Sequence, residues 1–503
     1  MLLVGPAHLS LRFAKWRCAT GTSRAGILML SGHCHDGLLG RLIIHQALLH
    51  VAAVPSTSWL FFVTHKNDWL VSVHIISCIQ GVHEALWSEP VMRRSFPWIT
   101  FLIASIRALE GSSRFSVYWN APTYNCHRMN ISIPLEKYGI RANRDMAFQG
   151  EEIVLFYETK FGMYPYFEKV NVSTYTAVNG GLPQKGNIGD HLLKVKMDIE
   201  RSIPYSGYSG LAIIDFEDWR PLWSLNWGSK TIYKKESVRY VLERYPSLSK
   251  KSARRLAITE FNKAARNFMV QTIRLGMQLR PNAQWGYYGF PYCNYDAGKA
   301  GETECNSKFM KHNDKLGFVM REGNTYYPSI YLNQEDKTGG NFRYLQAIVK
   351  ETIRTRKRLR STSPIYMYTK IEYEPYDPLP HEFYTKADLC NSLKQTSDLG
   401  AVGAIIWSTS NQMTRARCEG IQAYVSNTFG PYAEIVTKHA SRCARKLCSR
   451  HGKCELEPQL QCSSFNELLS YKCECDPLFY GRNCQKHKHF PWLFDWKRLS
   501  HFI

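Results

Sequence analysis

Acidic residues are scarce in this chain. Its 503 residues hold 42 Asp and Glu against 64 Lys and Arg, a formal charge of +22. Such a balance points to an anionic partner without choosing between nucleic acid, membrane surface and acidic glycan. Charged residues of both signs make up only 21% and hydrophobic ones 44%, which excludes a mainly disordered or coiled-coil protein. A chain of this length holds more than one folded unit. No internal repeat of roughly 20 to 50 residues is visible. Long apolar runs are lacking as well: Phe96 to Ile106 spans eleven residues, too few for a helix to cross a bilayer. The tail, His487 to Ile503, contains Phe490-Pro-Trp-Leu-Phe494 but is broken by Asp495, Lys497 and Arg498. It is too short and polar for a membrane span or a lipid-anchor signal. There is no nucleic-acid-binding fold motif. The basic run Arg354-Thr-Arg-Lys-Arg-Leu-Arg360 reads either as a nucleic-acid patch or as the solvated face and end of a helix, and the second is favoured. Neither a nucleic-acid partner nor an integral membrane span is therefore expected.

Residues 1–91 differ from the rest. They carry 6 Lys and Arg, 4 Asp and Glu and 8 of the 17 histidines, with no sustained periodicity. At Met92 the character changes: Met92-Arg93-Arg94, then the apolar run, then Gly111, Ser112 and Ser113. This is the anatomy of a secretory signal, although Arg107 and Glu110 sit where small neutral residues are preferred. One reading starts translation at Met92, making 1–91 an upstream extension and 92–112 a signal peptide. The other keeps a genuine N-terminal extension with an internal anchor at 96–106. Beyond Met92 the net charge is +20.

Seven of the 15 cysteines lie between Cys443 and Cys484. From Cys126 onward there are twelve, an even number, whereas Cys18, Cys34 and Cys78 leave an odd remainder. An even total with seven packed into one short stretch argues for an oxidising compartment. From Arg114 to about Tyr432, within a single domain expected over 113–440, short apolar runs alternate with longer amphipathic stretches. Strands are expected at Phe115–Trp119, Ile153–Tyr157, Leu211–Glu217, Gln284–Phe290, Ser329–Leu332, Ile365–Lys370 and Ala404–Trp407. Helices are expected at Gly189–Ser202, Ser249–Leu279, Phe342–Arg360, Lys386–Leu399 and from about Met413. Such alternation implies an α/β fold, a parallel sheet closed as a (β/α) barrel.

The chemistry concentrates in Leu211-Ala-Ile-Ile-Asp215-Phe-Glu217. Four apolar residues mark a strand buried on both faces, and the carboxylates appear where it ends. Side chains at i and i+2 of a strand face one side, so Asp215 and Glu217 share a space that Phe216 does not. Two close carboxylates cannot both ionise freely, so one keeps a proton near neutral pH. That is what a general acid needs when a sugar leaving group departs. A second reading has either carboxylate capping the next helix or pairing with Arg220.

Six separated motifs then fall in order. They are Phe115-Ser-Val-Tyr-Trp-Asn-Ala-Pro122, Gly180-Gly-Leu-Pro-Gln184, Ile214-Asp-Phe-Glu-Asp-Trp-Arg-Pro-Leu-Trp223, Trp285-Gly-Tyr-Tyr-Gly-Phe-Pro291, Tyr327-Pro-Ser-Ile-Tyr331 and Gly403-Ala-Ile-Ile-Trp407. Together they resemble the animal hyaluronidases, glycoside hydrolase family 56, over about Arg114 to Cys484. Asp-Phe-Glu and Tyr292 after Gly-Phe-Pro look most like the arthropod venom and salivary branch. The resemblance implies a distorted TIM-like barrel and secreted, retaining endo-hydrolysis of hyaluronan, with chondroitin as a further substrate and no metal or cofactor. Glu217 would be the acid and then the base; the substrate's own acetamido oxygen would be the nucleophile, a substrate-assisted exception to the two-carboxylate scheme. Asp215 would share the proton and orient the acetamido group. Tyr288, Tyr331 and Trp407 match positions that shape the acetamido pocket. Tyr164 and Trp227 match groove positions that contact sugars, and Arg220 matches a motif position open to a structural role. For any single aromatic, core packing is the competing reading. After Trp407 the chain reads Ser-Thr-Ser-Asn-Gln, unlike the vertebrate rim. The alternative function is a hyaluronan-binding or adhesion protein that keeps the groove without turnover; the retained carboxylates argue against it.

The segment 441–486 resembles an EGF-like module through Cys473-x-Cys475 followed by Tyr480-Gly481-x-x-Cys484, with zinc as the competing reading. The resemblance pairs Cys443 with Cys454, Cys448 with Cys473 and Cys475 with Cys484. In the barrel it pairs Cys126 with Cys418 and Cys293 with Cys305, and parity leaves Cys390 with Cys462. Asn130-Ile-Ser and Asn171-Val-Ser are glycosylation sequons.

Overall fold

The computed structural model describes residues 115–488, apart from 172–173, 333–338, 378–381, 460–461, 463–464 and 466. The expected signal peptide, everything before it and the tail beyond Lys488 lie outside the described residues. Two parallel sheets form the frame. One runs β2 (Arg141–Ala142), β1 (Ser116–Asn120), β9 (Gly403–Trp407), β8 (Tyr366–Thr369); the other runs β3 (Ile153–Tyr157), β6 (Leu211–Asp215), β7 (Gln284–Tyr287). An antiparallel hairpin of β4 (Tyr166–Lys169) and β5 (Tyr175–Val178) stands outside them.

Two devices join the sheets. Between β7 and β8 lies the segment around Tyr327, bridged to Tyr288 on one side and to Ile365 and Tyr368 on the other. The strand expected at Ser329–Leu332 is not continuous there. Pro328 brings no N–H to a ladder, and pairing reduces to isolated bonds such as Ile330 N–H to the Tyr368 carbonyl at 2.8 Å. On the other side, the Asn143 amide spans β2 and β3. Its Nδ2 donates to the Ile153 carbonyl at 2.9 Å and its Oδ1 accepts the Ile153 N–H at 3.0 Å. A side chain thus supplies bonds that a neighbouring strand would make. The ring of parallel segments is closed.

Alternation along the strands sorts the core. Ile153, Leu155, Leu211, Ile213, Tyr118, Tyr327, Tyr368 and Ile405 fill the ring's interior. Val154, Phe156, Ala212 and Ile214 point outward under the helices. Those helices include α1 (Ile188–Ser202), α2 (Thr231–Arg244), α3 (Lys250–Leu279), α4 (Gly340–Arg358) and α5 (Arg415–Tyr424). The Asn187 side chain accepts the Gly189 and Asp190 N–H groups to start α1, and Ser249 Oγ accepts the Ser252 N–H to start α3. No described helix is long and apolar enough to cross a membrane.

Cys126 is bonded to Cys418, tying β1's exit loop to α5 across 292 residues, and Cys293 is bonded to Cys305. Three bridges, Cys443 to Cys454, Cys448 to Cys473 and Cys475 to Cys484, hold a small C-terminal segment around the hairpin Gly452–Glu455 and Lys472–Cys475. Cys390 to Cys462 fastens it to the barrel, helped by Tyr471 donating to Asp398 at 2.8 Å and by the Arg356–Glu474 ion pair.

Candidate active site

The C-terminal ends of β3, β6, β7 and β9 meet at one mouth of the ring. Asp215 is the last residue of β6, in register with Tyr157 of β3. It is 8% exposed, and its Oδ1 has no hydrogen-bond partner among the described residues. Burial first, then the charges of Glu217 and Glu158, hold its carboxyl well above the usual carboxylate range. Glu217, two residues on, is open to solvent yet lies in a concave floor where protein replaces much of its water. That desolvation raises its pKa, against the pull of Lys230 and then Arg220. The Lys230 ammonium bonds the backbone carbonyl of Glu217 and, at 3.2 Å, that of Asp218. The Glu217 backbone is thereby pinned without its carboxylate being consumed in an ion pair. The helix-cap and Arg220-pairing readings do not describe these two carboxylates.

Sequence reasoning missed a third one. Glu158 follows β3, and its Oε2 accepts the Glu217 N–H at 3.4 Å while its own N–H donates to the Asp215 carbonyl at 3.0 Å. Burial, then Asp218 and Glu217, push it up to about 7. The signal was available: Tyr157-Glu158 ends a strand at the same mouth, but only sheet pairing brings it beside Asp215.

An aromatic wall faces the carboxylates. Tyr331 stacks on Trp407 with ring centres 5.9 Å apart, and Tyr288 lies 6.3 Å from Tyr331 and edge-on to Tyr368. Trp407 Nε1 donates to the Tyr157 hydroxyl at 2.9 Å, and exposed Tyr376 leans on Trp407 at 6.1 Å. Tyr288, Tyr331 and Trp407, expected together, are brought together, and Tyr157 joins them. Tyr164 does not. It is fully buried, packed against Phe216 at 4.3 Å and stacked on Trp219 at 4.9 Å, and its hydroxyl accepts the Trp219 N–H at 3.3 Å. A tyrosine so enclosed supports the 215–219 segment from behind, and Tyr157, in register with Asp215 and bonded by Trp407, is the tyrosine at the mouth. Trp227 is 48% exposed at the rim, edge-on to Tyr295. Arg220 lies between them: its guanidinium is 5.1 Å from the Trp227 and Tyr292 ring centres and donates to the Tyr295 hydroxyl at 2.6 Å. No carboxylate among the described residues pairs with it. Asn130 and Asn171 are both exposed, Asn130 with a positive φ of 60°.

Paired carboxyls that favour their protons, beside a half-buried aromatic surface with polar tips, form a site for acid catalysis on a sugar. The hyaluronidase family model matches residues 106–475. The chain belongs to the hyaluronidase family. Among curated relatives, a chondroitin hydrolase of Caenorhabditis elegans is 37% identical over 377 residues, covering 74% of this chain and 80% of the relative. A hyaluronidase of the spider Loxosceles intermedia is 31% identical over 404 residues, covering 77% and 97%. A crystal structure of bee venom hyaluronidase in complex with a hyaluronic acid tetramer superposes with a TM-score of 0.60 at 33% identity, covering 64% of this chain and 99% of that one. As a member of the hyaluronidase family the protein is a glycoside hydrolase on a TIM-like barrel.

Proposed function

We propose that the protein is a secreted endo-β-N-acetylglucosaminidase that hydrolyses the β-1,4 bonds of hyaluronan, with chondroitin as a further substrate, and with retention at the anomeric carbon. The observation that carries this is the Asp215–Glu217 pair, both raised toward protonation, opposite the Tyr288–Tyr331–Trp407 wall. Glu217 gives its proton to the glycosidic oxygen. As that bond breaks, the carbonyl oxygen of the substrate's own acetamido group bonds to the anomeric carbon, and the bond's electrons leave with the protonated oxygen. Water then attacks the same carbon and gives its proton to the Glu217 carboxylate, reopening the ring. The tethered nucleophile needs only to be held in an attacking pose. Asp215 takes the amide side of the group, and the Tyr331 hydroxyl its oxygen as charge develops. A bee venom relative crystallised with a hyaluronic acid tetramer and a nematode relative named for chondroitin support the two substrates. The cysteine usage supports secretion, and the C-terminal disulfide pattern supports an EGF-like module. Digestion of each polymer by secreted protein, with sizing and early NMR of the new reducing ends, tests the proposal. Even-numbered oligosaccharides with the β anomer first are expected. An unchanged polymer across pH 4 to 8 would leave only a binding protein.

The third carboxyl gives a pH prediction. Below about 7 Glu158 is neutral, as glutamine is; above it, Glu158 gains a charge that helps the buried pair keep its proton. Glu158→Gln should therefore leave the acid limb of the kcat profile in place and move the alkaline limb to lower pH. An alkaline limb that stays put would show that Glu158 does not act on the pair.

A further inference from the structure

The positive charge is not spread evenly. Helices α2 and α3 carry eleven Lys and Arg against three Glu. Four of these cations, Lys250, Lys251, Arg254 and Arg255, stand exposed in the first six residues of α3, with no acidic residue in its first turn. Cations there oppose the helix dipole, so the arrangement costs stability. Ion pairs within the two helices and to their surroundings engage only Arg239, Arg244 and Arg274, with Glu236, Glu243, Glu260 and Glu322. For the other eight cations, no carboxylate among the described residues lies within 4.0 Å. Like charges even act on each other across the helix pair: burial first, and then the charge of Arg254, lower the pKa of Lys234. Farther along α3, exposed Lys263 and Arg266 line a cleft of about 620 Å³ shared with α2 and the 183–188 loop. The surface starts at the catalytic loop, because α2 begins one residue after Lys230, whose ammonium bonds the Glu217 carbonyl.

We propose that this α2–α3 face is a second binding surface, outside the catalytic groove, for a polyanionic glycosaminoglycan chain. Its occupant's identity as a glycan rests on the function proposed above. The unpaired cations of α3, spread from Lys250 to Arg266 over about 24 Å of helix axis, suit a flexible polymer with regularly spaced carboxylates or sulfates. Single-stranded nucleic acid would want free aromatic rings for its bases. Here the Arg244 guanidinium lies 4.3 Å from the Tyr240 ring centre and 5.3 Å from that of Tyr245, so of these two only Tyr245, 47% exposed, offers an open ring.

The test measures direct binding of long hyaluronan and chondroitin sulfate chains, as a function of salt, to full-length Glu217→Gln protein. The same is done with Lys250, Lys251, Arg254, Arg255, Lys263 and Arg266 all replaced by alanine, and with each replaced by the other basic residue. Loss of six contacts should weaken long-chain binding roughly tenfold or more at low salt and flatten its salt dependence, while the Lys/Arg-swapped protein keeps both. In an otherwise wild-type background the six alanines should leave kcat on a short oligosaccharide unchanged. Equal affinity and salt slope before and after the alanines overturn the proposal, as does duplex DNA of matched charge displacing the glycan from this face. If wild-type protein cleaves neither polymer yet the alanines abolish binding, the second surface stands and the hydrolase reading alone fails.

Discussion

Glu217→Gln is expected to remove depolymerisation almost entirely in a protein that still folds, with kcat falling about 10²- to 10⁴-fold, the range for loss of a positioned acid. The fold should survive because Glu217 contributes to it mainly through its backbone: the carbonyl takes Lys230, and the N–H reaches Glu158. Glutamine matches the neutral acid in size and charge, so substrate binding should change little and the loss should appear in kcat. The exchange also removes the charge that helps hold Asp215 protonated, so Asp215 should titrate at lower pH in the mutant. Initial rates from new reducing ends, with hyaluronan affinity measured on the same preparation, decide the matter. A mutant keeping a tenth or more of wild-type kcat would remove Glu217 from the acid role. Glu158, another carboxyl raised by burial on the same floor, would then be next to test.

The site's centre was legible because its signal is local. In Leu211 to Glu217, one apolar run and two carboxylates two apart mark the strand and the acid pair, although β6 ends at Asp215 and Glu217 lies beyond it, exposed, and β3 could be read with its observed bounds for the same reason. What escaped depends on neighbours distant in sequence. Glu158 is 59 residues from Glu217 and becomes a partner only through the pairing of β3 with β6. The Arg220 cage needs Tyr295, which reaches Arg220 across 75 residues. Tyr164 and Tyr157 lie seven residues apart in equally aromatic stretches. Composition cannot tell the one stacked on Trp219 from the one at the mouth. Helix α2 escaped for a different cause: it buries only Tyr233, Ser237 and Val241, too little apolar surface for a clear stripe among its charges. The broken segment after Tyr327 looked like a strand because Tyr, Ile and Leu favour one, whereas Pro328 decides the pairing.

Arg417→Ala should be among the most destabilising single changes in the barrel, costing about 3–5 kcal/mol. Arg417 and Glu372 are both essentially inaccessible, at 0% and 1% side-chain exposure. The guanidinium reaches Glu372 through Nε at 3.0 Å and Nη2 at 2.8 Å, and also bonds Ser408 Oγ at 2.9 Å and the Asn411 carbonyl. Ser408 in turn donates to Glu372 at 2.8 Å. Removing the cation takes the bidentate guanidinium away from a carboxylate buried at that depth, and the desolvation of that ion, no longer offset by its closest charge, dominates the cost. Replacing both residues by methionine removes charge and partner together and should cost much less than the single alanine change. The cluster also acts on the site, since Ser408 follows Trp407, which stacks on Tyr331. Freed of Arg417, the 408–411 turn should release Trp407, raising KM for oligosaccharides before the protein unfolds. Urea unfolding of wild type, Arg417→Ala and the double methionine variant gives the energies. A single-mutant cost under about 1 kcal/mol, the scale of an exposed ion pair, would mean that the turn relaxes to hydrate Glu372 and does not hold Trp407 in place.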